Sequence, residues 1–223
     1  MQFDIITIFP DFFTTPLKYG VISKAIEKGI LKINVHDLRD YSGNKHRKID
    51  DRPFGGGAGM VFMVEPIYNA LSSLKTKNSH IILLTPSGKL FNQKRARELS
   101  EKDNIILICP RYEGIDERVK EFVNEEISIG DYILTGGETA AFVLIEAISR
   151  YVKGVVGKEE SVKNESFENG IFDYPQYTQP REFKGMKVPE VLLSGNHKKI
   201  EEWRKKKALE LTIKRRGGLI KQD

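Results

Sequence analysis

Three short segments carry glycine, the first two with proline as well: Thr85-Pro86-Ser87-Gly88-Lys89, Pro110 to Ile115, and Ile129 to Gly137. Such residues leave backbone amides and carbonyls open where larger side chains would obstruct them. That suits a flat heterocycle such as adenine, gripped by main-chain hydrogen bonds. Any one segment could be an ordinary turn. Three of them beyond the carboxyl ends of parallel strands, where open α/β sheets bind ligands, point to a pocket. A fourth run, Phe54-Gly55-Gly56-Gly57-Ala58-Gly59-Met60, is glycine-rich but lacks the Lys-Ser/Thr of a Walker loop. It also fails to join a first strand to its helix, so the dinucleotide pattern is excluded with it. What remains is a flexible loop behind Asp50, Asp51 and Arg52, able to press its backbone on a ligand. The single cysteine, Cys109, follows Ile105-Ile106-Leu107-Ile108 and reads as a small buried hydrophobe. With four scattered histidines it forms no zinc spacing, and no metal ligands are assigned.

The elements that must hold these loops follow from hydrophobic periodicity. Gln2 to Phe9 predicts a buried strand, and Thr15-Pro16 opens a helix with Leu17, Val21, Ile22, Ala25 and Ile26 on one face. Leu31, Ile33 and Val35 alternate with polar residues as a half-buried strand. A helix opened by Pro66 runs to about Leu74. Two strand–loop–helix units follow: Ile81 to Leu84 with a helix capped by Asn92, and Asn104 to Cys109 with a helix capped by Asp116. The alternation predicts an α/β fold with a mainly parallel sheet covered on both faces. The helix from Glu138 to about Val152 is apolar almost all round, so a second subunit is expected to cover part of it and the chain to be a homodimer.

The 223 residues suffice for a large core plus a small domain, without disulfides. The amino terminus lacks the basic start of a signal peptide, and no apolar stretch reaches membrane-span length, so a cytoplasmic protein is expected. From Lys184 onward there are 12 Lys or Arg against 5 Asp or Glu, whereas residues 1–183 hold 24 against 26. A basic tail on a near-neutral body suits a polyanionic partner. Gly154 to Gly170 lacks apolar periodicity and reads as a linker. Beyond it, a proline-punctuated stretch leads to a helix from about Asn196 to Ile213. The expected organisation is an α/β domain over 1–157, a linker over 158–172 and a basic helical domain over 173–223.

Six stretches, in order, resemble the bacterial tRNA (guanine-N1) methyltransferases of the knotted SPOUT class. They are Asp50-Asp51-Arg52-Pro53-Phe54-Gly55-Gly56-Gly57, Arg111-Tyr112-Glu113-Gly114-Ile115-Asp116-Glu117-Arg118, Ser128-Ile129-Gly130-Asp131-Tyr132, Thr135-Gly136-Gly137-Glu138, Tyr177-Thr178-Gln179-Pro180 and Leu192-Leu193-Ser194-Gly195-Asn196-His197. The resemblance covers nearly the whole chain. It implies a trefoil knot whose loops bend S-adenosylmethionine into their pocket, and a small all-α carboxyl-terminal domain that binds tRNA. Pro86, Pro110, Glu113, Ile129, Gly130, Asp131, Tyr132, Ile133, Leu134 and Gly136 are implied to contact that cofactor. Asp50, Gly55, Gly56 and Gly57 are implied to contact the RNA.

By the same likeness Glu165 is the base that takes the proton from guanine N1, and Arg150 steadies charge developing on O6. The chemistry is sound, because guanine N1 is a poor nucleophile until its proton leaves. A guanidinium offers permanent charge and planar donors to the oxygen. The target implied is the guanine immediately 3′ of the anticodon, preceded by another G. The base would come from one subunit and the cofactor from the other. Magnesium is implied as an assisting ion, though no dedicated cage for it is visible. Two positions depart from the usual pattern. Glu165 stands where many relatives carry Asp, one methylene shorter. Pro110 stands where many carry Gly, which removes a backbone donor but keeps the carbonyl. Two other readings are a non-catalytic RNA-binding module and a ribose 2′-O-methyltransferase of the same class.

Overall fold

Runs of β-branched and aromatic residues build a sheet with two buried faces. In the computed structural model, which describes residues 1–157, 165–168 and 170–221, the first unit spans Met1–Gly157 and the second Lys158–Asp223. The first unit holds β1 (Gln2–Thr7), α1 (Gly20–Glu27), β2 (Lys32–Asp37), β3 (Asp50–Asp51) and β4 (Val61–Phe62). Then come α2 (Val64–Leu74), β5 (Ser79–Leu90), α3 (Gln93–Ser100), β6 (Asn104–Ile108), β7 (Glu125–Ser128) and α4 (Glu138–Ser149). Five strands form one sheet in the order β2-β1-β6-β5-β7. All four pairings are parallel, with Gln2 opposite Lys32 and Asn104, Ser79 opposite Asn104, and Ile82 opposite Glu125.

Alternation sorts the strand side chains between two cores. Phe3, Ile5, Ile82, Leu84, Ile105 and Leu107 pack with α1, α3 and α4. Ile6, Ile81, Leu83, Ile106 and Ile108 pack on the other face with α2, Leu38, Phe62 and Val119. Both faces are therefore dry, as crossover helices require of a parallel sheet. All the strands point the same way, so the loops that follow β5, β6 and β7 leave from one edge.

Several local expectations are corrected. The helix opened by Pro16 begins as a 3-10 turn, Pro16–Lys18, and becomes α-helical only at Gly20, whose φ of 71° interrupts the run. The segment after Asp116 is likewise a 3-10 helix, Glu117–Phe122. The run Thr85 to Lys89 is not a free loop, because β5 extends through it. Leu84 and Lys89 both pair with Ile127, so this stretch folds around the end of β7. Gly88 permits that closeness, since a Cβ there would lie 2.5 Å from the Ile127 amide nitrogen. β7 itself gives too short a signal in sequence to stand out.

The second unit holds α5 (Glu190–Leu193) and α6 (His197–Arg216), with Asn196 capping α6 by accepting from the Lys199 amide. It is not all-α: β8 (Glu182–Phe183) and β9 (Met186–Lys187) form a hairpin. Lys184 and Gly185, at φ 51° and 80°, make the left-handed turn that joins them. Of the expected linker at 158–172, residues 158–164 and 169 lie outside the described residues. The rest folds back on α6, with the Phe172 amide donating to Thr212 Oγ1 at 2.9 Å. No helix among the described residues is long and apolar enough to cross a membrane.

Candidate active site

The three glycine-bearing segments meet at the carboxyl edge of the sheet and enclose a cavity of about 450 Å³. That volume lies within the range of small-molecule sites. Pro86, Pro110, Glu113, Ile129, Gly130, Tyr132, Ile133, Leu134 and Gly136 line it. Asp131 is exposed and is not a lining residue. Thr85, Ser87, Arg111, Thr135 and Gly137 line it too; in sequence they stood only within loops and motifs, not as cofactor contacts. Apolar Leu84, Ile129, Ile133 and Leu134 give it faces on which a flat ring could rest, and glycines 114, 130, 136 and 137 bring main chain to its wall.

That backbone is held tightly. The Gly137 amide donates to the Pro110 carbonyl at 2.9 Å, so the carbonyl expected to serve a ligand already accepts one bond and keeps one lone pair. Arg111 and Gly136 form an antiparallel bridge. A Cβ at Gly137 would sit 2.8 Å from the Cys109 Cα, so only glycine lets the two walls approach this closely. In the third loop the Tyr132 hydroxyl donates to the Ile129 carbonyl at 3.1 Å, and the Ser128 hydroxyl donates to the Gly130 carbonyl at 3.2 Å.

The glycine-rich run lies between β3 and β4, and Asp50, Gly55, Gly56 and Gly57 are outside the cavity lining. It is nonetheless fastened to the second loop. The Glu113 amide donates to the Met60 carbonyl at 3.1 Å and the Phe62 amide to the Gly114 carbonyl at 3.0 Å. Gly59 sits against the Glu113 side chain, where a Cβ would be 2.5 Å from Oε1. Phe54, at the start of the run, is fully exposed.

A model of the family described as tRNA (Guanine-1)-methyltransferase TrmD matches residues 1–222. The chain belongs to that family. It is similar to the tRNA (guanine-N(1)-)-methyltransferase of Dictyoglomus turgidum, 54% identical over 100% of this chain and 91% of that one. The Carboxydothermus hydrogenoformans protein of the same name is 55% identical over 99% of this chain and 88% of its own length. For the Clostridioides difficile protein, also so named, the figures are 50%, 100% and 99%.

Within this member of the tRNA (guanine-1)-methyltransferase family the two candidate catalytic residues fall in different units. Arg150 is the half-buried carboxyl-terminal cap of α4 in the first. Glu165 opens a turn in the second, where its carbonyl accepts from the Glu168 amide and the Ser166 hydroxyl accepts from the Asp173 amide at 2.9 Å. Among the described residues no group of three or more His, Cys, Asp or Glu forms a metal cage.

Proposed function

We propose that this enzyme moves a methyl group from S-adenosylmethionine to N1 of the guanine immediately 3′ of the tRNA anticodon. The observation that carries the reading is the cavity walled by three backbone-rich loops in a chain that belongs to the tRNA (guanine-1)-methyltransferase family. The residues fit the cofactor: apolar Ile129, Ile133 and Leu134 suit its adenine, and glycines at 130, 136 and 137 bring main chain to the cavity wall. Pro86, Pro110, Glu113, Tyr132 and Gly136 complete the holding set. When bound, the donor supplies an electrophilic methyl group carried on sulfur.

The rest is done by side chains of this chain. Glu165 accepts the N1 proton, which frees the ring-nitrogen lone pair for attack. Arg150 offers donors to O6 as negative charge gathers there. Asp50 and the backbone of Gly55, Gly56 and Gly57 hold the RNA beside the cavity. The active form is a homodimer, one subunit presenting Glu165 to the cofactor site of the other. Its backbone is a trefoil knot, a reading supported by the way residues 84–90 close around the end of β7. The basic residues from Lys184 onward track tRNA phosphates. The reaction takes place in the cytoplasm, and the small second unit serves it as the tRNA-binding domain.

Mass spectrometry of tRNA digested after incubation with the protein and methyl donor tests this. The expected product is 1-methylguanosine at the position 3′ of the anticodon, absent when that guanine is replaced by adenine. A methyl group on a ribose, or unmodified tRNA, would overturn the reading.

A further inference from the structure

We propose that the Arg111–Glu138 ion pair sets the shape of the cavity, and that both are positioning residues for the methyl donor. The inference rests on the function proposed above. Glu138 opens α4 yet is only 1% exposed, an unusual place for a carboxylate. A buried charge survives only when paired and hydrogen-bonded. Here Thr7 Oγ1 donates to Glu138 Oε1 at 2.7 Å, and Arg111 Nε reaches the two carboxylate oxygens at 3.2 and 3.1 Å. The guanidinium of Arg111 also lies over the Phe9 ring, 4.3 Å from its centroid.

These contacts join four segments: the end of β1, the loop after β6, the loop after β7 and the start of α4. Two of them are cavity walls, the first carrying Pro110 and Gly114 and the second Gly130, Gly136 and Gly137. The Arg111–Gly136 bridge runs directly over the pair, and a Cβ on Gly136 would fall 2.5 Å from Glu138 Oε2 and 2.6 Å from Arg111 Nε. The walls thus close down onto the charges as far as glycine permits. Buried ion pairs add little net stability compared with apolar groups of the same size. What this one contributes is a fixed distance between the loop carrying Pro110 and the loop carrying Gly136.

The test uses the full chain, S-adenosylhomocysteine as the binding probe in calorimetry, thermal melting, and methyl transfer to tRNA transcripts. Glu138→Gln keeps size but removes the charge that holds Arg111. It should weaken probe binding and raise the donor KM by about 100-fold, the scale of an ångström-sized misplacement, while the tRNA KM stays unchanged. The double variant Arg111→Met with Glu138→Leu should recover the melting temperature without recovering probe affinity. Recovery of both together, or wild-type affinity in Glu138→Gln, would show the pair to be structural only and overturn the inference. A wild-type chain that binds no probe would instead overturn the functional reading, and this inference with it.

Discussion

The candidate base shows how much chemistry rests on one side chain. Glu165 is half-buried in a turn that is itself hydrogen-bonded, so its carboxylate is carried by an ordered backbone. Glu165→Gln keeps the shape and removes the proton acceptor. The expected outcome is a fall in kcat of about 100-fold or more, the usual contribution of a general base, with probe affinity unchanged in calorimetry; full turnover in that variant would contradict the base role. Cys109 illustrates the opposite case. Burial, followed by the nearby Glu138 carboxylate, pushes its thiol well above the usual range. It is 1% exposed and serves as core, as its apolar surroundings in sequence suggested.

Among the elements, β7 governs the site, because the loop from Ile129 to Gly137 hangs from it. β7 is an edge strand of four residues, so its anchorage matters more than that of the central strands. Glu125 supplies it. Its carboxylate meets His80 Nε2 at 2.7 Å and Arg95 Nη2 at 2.6 Å, tying β7 to β5 and α3. Burial raises this carboxyl, but the hydrogen bonds from His80 and Arg95 outweigh it and bring it from 4.5 to about 2. A carboxyl lowered in the folded state stabilises fully above its unfolded value and loses that contribution as pH falls toward the folded one. The contribution of Glu125 is therefore complete near neutrality and drains away between 4.5 and about 2. Glu125→Gln should lower stability by about 1.5–3 kcal/mol near neutral pH, the range for hydrogen bonds to charged groups, and flatten the acid limb. Urea midpoints measured at neutral and acid pH would show both effects; an unchanged acid limb would contradict this account.

For the whole molecule, α4 is the element on which the homodimer expectation turns. Its buried line, Ala141, Leu144, Ile145 and Ile148, packs into the sheet core. Val143 remains exposed, while Phe142 and Ala147 are half-buried against the edge of that core. Sedimentation at micromolar concentration should give twice the chain mass, and a monomer there would refute the homodimer. The sequence by itself determined the α/β alternation, the apolar cores of four of the five parallel strands in outline, and the segments that wall the cavity. It could do so because periodicity and glycine–proline chemistry are local. Only the tertiary structure decided that Thr85 to Lys89 wraps the end of β7, that the second unit carries a hairpin, and that Arg111 and Glu138 meet across 27 residues of chain. Both residues stood in the motifs from the outset. Their partnership was hidden because a charged residue in sequence carries no sign of burial, and only packing reveals which charges must be matched.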